Sequence, residues 1–181
     1  MLLIIISSKW GSIENRKNMM CVVSMHKTPE MQSAHAILLL DGQYILQLRD
    51  NKPDIAAPGQ WTLFGGMIAE DETLLKSIQR EIFEELSIQP KEFQYLWFID
   101  YIAEFEQECI RSWFFSADVK DVWPQHKLME GQDAGIFTYE QTKVLKMPWV
   151  MRETIERFHK SGIRGYRREA IGDNKDGKDR V

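Results

Sequence analysis

The stretch from Gly65 to Ile88, GGMIAEDETLLKSIQREIFEELSI, constrains this chain more than any other. Leu75, Ile78, Ile82 and Leu86 step by three, four and four, the period of one helical face. Thr73 stands where a helix wants its N-cap. The spacing predicts a helix whose apolar stripe must sit against a core. Glu81, Glu84 and Glu85 fall at i, i+3 and i+4, so they gather on a face roughly a quarter-turn round from that stripe.

Local stability does not ask for such a face. Like charges at i,i+4 cost a few tenths of a kcal/mol per pair, and acids near a helix C-terminus oppose its dipole. Arg80 offsets part of this by pairing with Glu84. A solvated acidic face is the plain reading of three glutamates on a helix, but the surroundings point elsewhere. The Gly65-Gly66 pair permits a tight loop and close approach of backbone to a ligand. Glu72 adds an acid at the helix start. Hard oxygen ligands gathered this way suit Mg²⁺ or Mn²⁺.

The same stretch resembles the Nudix box: a Gly, five residues, Glu, seven residues, then Arg-Glu-apolar-any-Glu-Glu-any-Gly-apolar. Gly66, Glu72, Arg80, Glu81, Ile82, Glu84, Glu85 and Ile88 match in register. Ser87 stands where the pattern has Gly, a change that touches the C-cap geometry and none of the acids. The resemblance implies an α/β (α+β) fold, the Nudix α/β/α sandwich with a mixed sheet between helices. It implies hydrolysis of a nucleoside diphosphate linked to another group, with Mg²⁺ (or Mn²⁺) held by Glu81, Glu84, Glu85 and the Gly65 carbonyl. Glu130, in the Glu130-Gly131-Gln132 loop, matches a position that supplies one more metal ligand in MutT-like members. The base is then Glu81 or Glu130, and Arg80 orients its neighbouring acids. Arg49 stands where relatives reach substrate phosphate, and Gly66 joins it among the binding positions.

The 181 residues, 44% apolar and 28% charged, make one ordinary domain with enough chain for a core. A net charge of −4 argues against a general nucleic-acid binder, so an anionic substrate needs a metal or a few local Arg and Lys. Cys21 and Cys109 form no C-x-x-C spacing, so neither a zinc site nor a disulfide framework is expected, and a reducing compartment is the default. Leu2–Ile6 is far too short to span a membrane. The expected setting is the cytoplasm and the expected partner a small-molecule nucleotide, with no nucleic acid or membrane and with room for a homodimer.

The sequence is expected to divide into a poorly ordered N-terminal extension (1–31), a domain carrying the Nudix resemblance (32–161) and a disordered tail (162–181). Within the domain, Ala34–Leu40 and Tyr44–Leu48 predict a hairpin about Asp41-Gly42. His35 reads as a satisfied core or edge histidine. Gln94–Ala103 and Arg111–Val119 predict two more strands, whose Trp97, Phe98, Trp113 and Phe114 belong to the core or stack on a base. Val150–Lys160 predicts a helix packed on the sheet. Signatures of the dinucleotide, ADP-sugar, diadenosine and coenzyme A branches are missing. What remains is a MutT-like enzyme cutting a (deoxy)nucleoside triphosphate to monophosphate and pyrophosphate. A nucleotide-sugar hydrolase, or a non-catalytic nucleotide sensor, is the alternative.

Overall fold

Strand β1 (Met31–Leu40) carries the architecture. One edge pairs antiparallel with β2 (Gln43–Leu48) and with β4 (Phe64–Met67), and the other runs parallel to β6 (Cys109–Asp118) from Met31 to Leu39. A strand paired on both edges and covered on both faces must be apolar throughout, which is what AHAILLL supplies. β5 (Gln94–Ile102) closes the β6 edge antiparallel. The short β3 (Trp61–Thr62) and β7 (Asp133–Phe137) both pair antiparallel with β2. The sheet is therefore mixed. The computed structural model describes residues 28–162, so residues 1–27 of the expected extension and 163–181 of the expected tail lie outside it.

Helices cover both faces. α1 (Leu74–Leu86) sets Ile78, Ile82 and Leu86, all fully buried, against Ala34, Ala36, Leu38, Phe115 and Ala117. α3 (Trp149–Ser161) sets Val150, Met151, Ile155 and Phe158 against Ile37, Leu39 and Phe114. Alternate residues of β1 thus face opposite cores. The small helix α2 (Tyr139–Thr142) starts in a capping box made by Thr138 and Gln141. Among the described residues no helix is long and apolar enough to cross a membrane.

Several boundaries differ from the sequence reading. β1 begins at Met31 rather than Ala34, because parallel pairing with Ile110 and Arg111 extends it. Leu75 is 47% exposed, since Leu74 makes the first-turn contact with the core instead. Trp97 and Phe114 are core, whereas Phe98 lies half exposed on the opposite face beneath the Arg111 guanidinium. Cys109 opens β6, and Cys21 lies outside the described residues.

Candidate metal centre and substrate cleft

α1 is held at both ends by features legible in its sequence. Thr73 caps the start, its side chain accepting from the Lys76 amide at 3.3 Å. Ser87 ends the helix in the left-handed region (φ 54°, ψ 28°), with its amide on the Phe83 carbonyl at 2.8 Å. The left-handed turn that Gly would make easily is thus kept by Ser, at some conformational cost.

The three glutamates do not share one solvent face. At the helical pitch, Glu85 lies only about 20° round from Ile78, inside the apolar stripe rather than beside it. It is accordingly buried at 3% exposure, whereas the side chains of Glu81 and Glu84 are 14% and 57% exposed. The acids therefore descend from solvent to core. Glu85 survives burial because the Gly65 amide donates to one oxygen at 2.8 Å and Gln47 Nε2 to the other at 3.0 Å. Burial still pushes its pKa up to about 8. Burial likewise raises Glu81, with Arg80 pulling the other way.

Arg80 is the hub of the remaining acids. Its Nε and Nη2 fork onto Glu72 at 3.0 and 2.9 Å, and Nη1 donates to Glu81 at 2.7 Å and Glu84 at 3.0 Å. Nη2 also reaches the Met67 carbonyl at 3.1 Å, which ties the helix to the strand end before it. The fork holds Glu72 down at about 2. Glu72, the acid at the helix start, is thus held by a direct bidentate contact. Among the described residues, no three His, Cys, Asp or Glu side chains form a ready-made metal-ligand set.

The two glycines have separate jobs. At Gly65 (φ +132°) a Cβ would lie 2.1 Å from the Ala34 carbonyl oxygen, so only Gly lets β4 lie against β1 here. At Gly66 a Cβ would lie 2.7 Å from the Cδ of Glu81. The Glu81 carboxylate thus packs directly against the Gly66 backbone, in the room a side chain would take.

Glu130 arrives from across the sheet. Its loop is hung from the end of α1 by Lys127 N to Leu86 O (2.9 Å) and Met129 N to Glu85 O (2.8 Å). It is hung from β2 by Gln132 N to Leu48 O (2.8 Å) and Gln132 Nε2 to Arg49 O (2.7 Å). The Glu130 charge acts on both Glu81 and Glu85. The structure thus brings Glu81, Glu85 and Glu130 into one electrostatic neighbourhood, with Glu84 joined to it through Arg80.

A cleft of about 610 Å³ runs from Gly65 and Gly66 between the 53–60 loop, the β5–β6 turn and the start of α3. Arg49 lines it, and its Nε donates to the Ala56 carbonyl at 2.9 Å, fixing the loop wall. Its aromatic lining is Tyr101, Phe105 and Trp149; none of Trp97, Phe98, Trp113 or Phe114 contributes. A polar chain runs along the same wall: His35 Nε2 to Ser33 (3.1 Å), Ser33 to Ser112 (2.7 Å) and Ser112 to Tyr101 (3.2 Å). His35 Nδ1 and Thr62 Oγ1 are buried with no partner. Sequence reasoning missed Gln47 and this chain. The available signal was polarity at strand positions whose neighbours by twos, such as Ile45 beside Gln47, are core.

The family model of the NUDIX domain matches residues 30–158. No curated protein matches the chain in sequence. Among solved structures, a MutT protein from Methanosarcina mazei Go1 is 23% identical with a TM-score of 0.64, covering 78% of this chain and 100% of its own. The NUDIX domain of Shewanella oneidensis NrtR, complexed with ADP ribose, is 17% identical with a TM-score of 0.62, covering 75% and 90%. The E. coli dihydroneopterin triphosphate pyrophosphohydrolase is 16% identical with a TM-score of 0.58, covering 70% and 93%. These likenesses are likenesses of fold.

Proposed function

Because this chain belongs to the Nudix hydrolase family, we propose that it cuts a (deoxy)nucleoside triphosphate to the monophosphate and pyrophosphate, using Mg²⁺ or Mn²⁺. The observation that carries this reading is the Glu81 carboxylate packed against the Gly66 backbone, on the same helix as buried Glu85 and acted on by the Glu130 charge. The donor set fits the ion in kind: every candidate ligand is a hard oxygen, and the missing Cβ of Gly66 lets the Glu81 carboxylate lie against the loop. Glu81, Glu84, Glu85, Glu130 and the Gly65 carbonyl would hold it. The bound ion would neutralise the anhydride and acidify a nearby water.

The chain's own groups account for the rest. Water oxygen forms a bond to phosphorus as the bridging P–O bond breaks, pyrophosphate carries away the electron pair, and a carboxylate takes the water proton. Glu81 suits that role because burial raises its proton affinity; Glu130 is the second candidate. Arg80 contacts Glu72, Glu81 and Glu84 and keeps them in register. Arg49 meets phosphate at the cleft wall, and the apolar and aromatic lining receives the nucleoside. A cytoplasmic setting and room for a homodimer accompany this reading.

The test is release of phosphate or pyrophosphate with Mg²⁺ from canonical and oxidised triphosphates, nucleotide sugars and dinucleoside polyphosphates, comparing wild type with Glu84→Gln. Turnover of triphosphates that falls at least about 100-fold in the variant supports the reading. Turnover confined to nucleotide sugars moves the substrate class. Tight nucleotide binding without turnover makes the chain a sensor.

A further inference from the structure

Gln47 lies fully inside the protein at 1% exposure, on the face of β2 that looks at α1. Its Nε2 donates twice, to the Glu85 carboxylate at 3.0 Å and to the backbone carbonyl of Glu130 at 3.2 Å. Its Oε1 is buried with no partner. A buried acceptor without a donor is costly, and turning the amide over is the ordinary way to relieve one. Here that route is closed. A turned amide would aim Oε1 at a carboxylate and a carbonyl, two acceptors, and would strip both of their donor.

The neighbouring backbone is shaped to the same contact. Gly131 has φ +86°, and a Cβ there would lie 2.9 Å from the Leu48 carbonyl oxygen and 3.0 Å from Gln47 Cγ. The Glu130 loop can therefore settle on the Gln47 side chain only because residue 131 has no side chain of its own. Two segments 45 residues apart in sequence, the end of α1 and the loop after β6, meet through one amide.

We propose that Gln47 is the positioning residue of the metal centre: it fixes the Glu85 carboxylate and the Glu130 loop in one frame, so that acids from both address the same cation. This rests on the metal-centre reading above, and it adds a residue outside the box to that centre. Groups that orient metal ligands in this way typically change metal affinity 10–100-fold when removed. Gln47 touches neither substrate nor reacting atoms in this scheme.

The test uses Gln47→Met, which keeps volume and removes both donors, and Gly131→Ala, which lifts the loop from the other side without altering the amide. Mn²⁺ titration followed by electron paramagnetic resonance reads metal affinity without turnover, and amide exchange at Met129 and Gln132 reads the loop. Both variants are expected to weaken Mn²⁺ binding about 10–100-fold and to speed exchange at those amides. The thermal transition of the Met variant should fall by several degrees and stay cooperative, because two acceptors lose this donor. Faster exchange with unchanged Mn²⁺ affinity would make the contact purely structural and overturn the proposal; so would two folded variants with wild-type values of both. A wild type that binds Mn²⁺ but turns over no nucleotide would sink the hydrolase reading, and the two variants would still decide the role of Gln47.

Discussion

Replacing Gly66 by Ala separates the site from the scaffold. The new Cβ would lie 2.7 Å from the Cδ and Oε2 of Glu81 and 2.8 Å from Oε1, where ordinary contacts begin at 3.4 Å. The obstacle is the end of a side chain, so the carboxylate can retreat by about 0.7 Å while the fold stays whole. A misplacement of that size at a reacting group costs about 30–100-fold, or roughly 2–3 kcal/mol of transition-state stabilisation. The thermal transition should fall by no more than about 4 °C. Gly65→Ala is the control. There the clash is with β1 backbone, 2.1 Å from Ala34 O and 2.7 Å from His35 Cα, and neither can move without breaking the β1–β4 pairing. That variant should lose more than about 3 kcal/mol of stability, or fail to fold. Steady-state kinetics and differential scanning calorimetry on the pair decide the matter. A Gly66→Ala enzyme with wild-type kcat/KM, or a Gly65→Ala protein melting with wild type, would refute the reasoning.

Three further outcomes follow from the same geometry. Ser87→Gly relieves a left-handed residue at the end of α1 and should stabilise the protein by about 0.5–1 kcal/mol in denaturant titration. Arg80→Lys keeps the charge but cannot span Glu72, Glu81 and Glu84 at once, so kcat/KM should drop about 10–100-fold in nucleotide hydrolysis. Glu85 sets a pH dependence. Its folded pKa of about 8 exceeds the ordinary 4.5, so the folded metal-free protein holds a proton that the unfolded chain releases between those values. Its contribution is full below pH 4.5 and is lost as pH rises through 8, by about 5 kcal/mol. The difference in unfolding free energy between wild type and Glu85→Gln should change with pH in that sense and flatten with excess Mg²⁺; a flat difference without metal would contradict it.

Much of this site was legible in the residue order. Thr73, the Ile78–Ile82–Leu86 stripe and the Asp41-Gly42 turn act locally, through spacing and backbone preference, and each sits where its spacing puts it. The acids were legible as a group but not as individuals. Treating Glu85 as a member of a charged face overlooked its place between apolar neighbours on the helical wheel, and its burial follows from donors supplied by β2 and β4. Gln47 meets a helix 38 residues on and Ser33 a strand 79 residues on, so the local pattern marks their polarity but not their partners. Leu75 failed for a related reason: periodicity marks a helical face but not how far the sheet beneath it extends.

The parallel pairing of β1 with β6 also sets an order of events during synthesis. α1 is complete when residue 86 has been made, yet one edge of the strand that supports it has no partner until residue 118 follows. Until then, a helix bearing three glutamates and an apolar stripe waits on a half-built sheet. Long-range pairing of this kind is slow to form and leaves apolar surface uncovered meanwhile. During that interval Arg80 neutralises the acids from within their own helix. A released fragment ending before residue 118 should therefore be protease-sensitive through α1, although it contains every residue of the Nudix box.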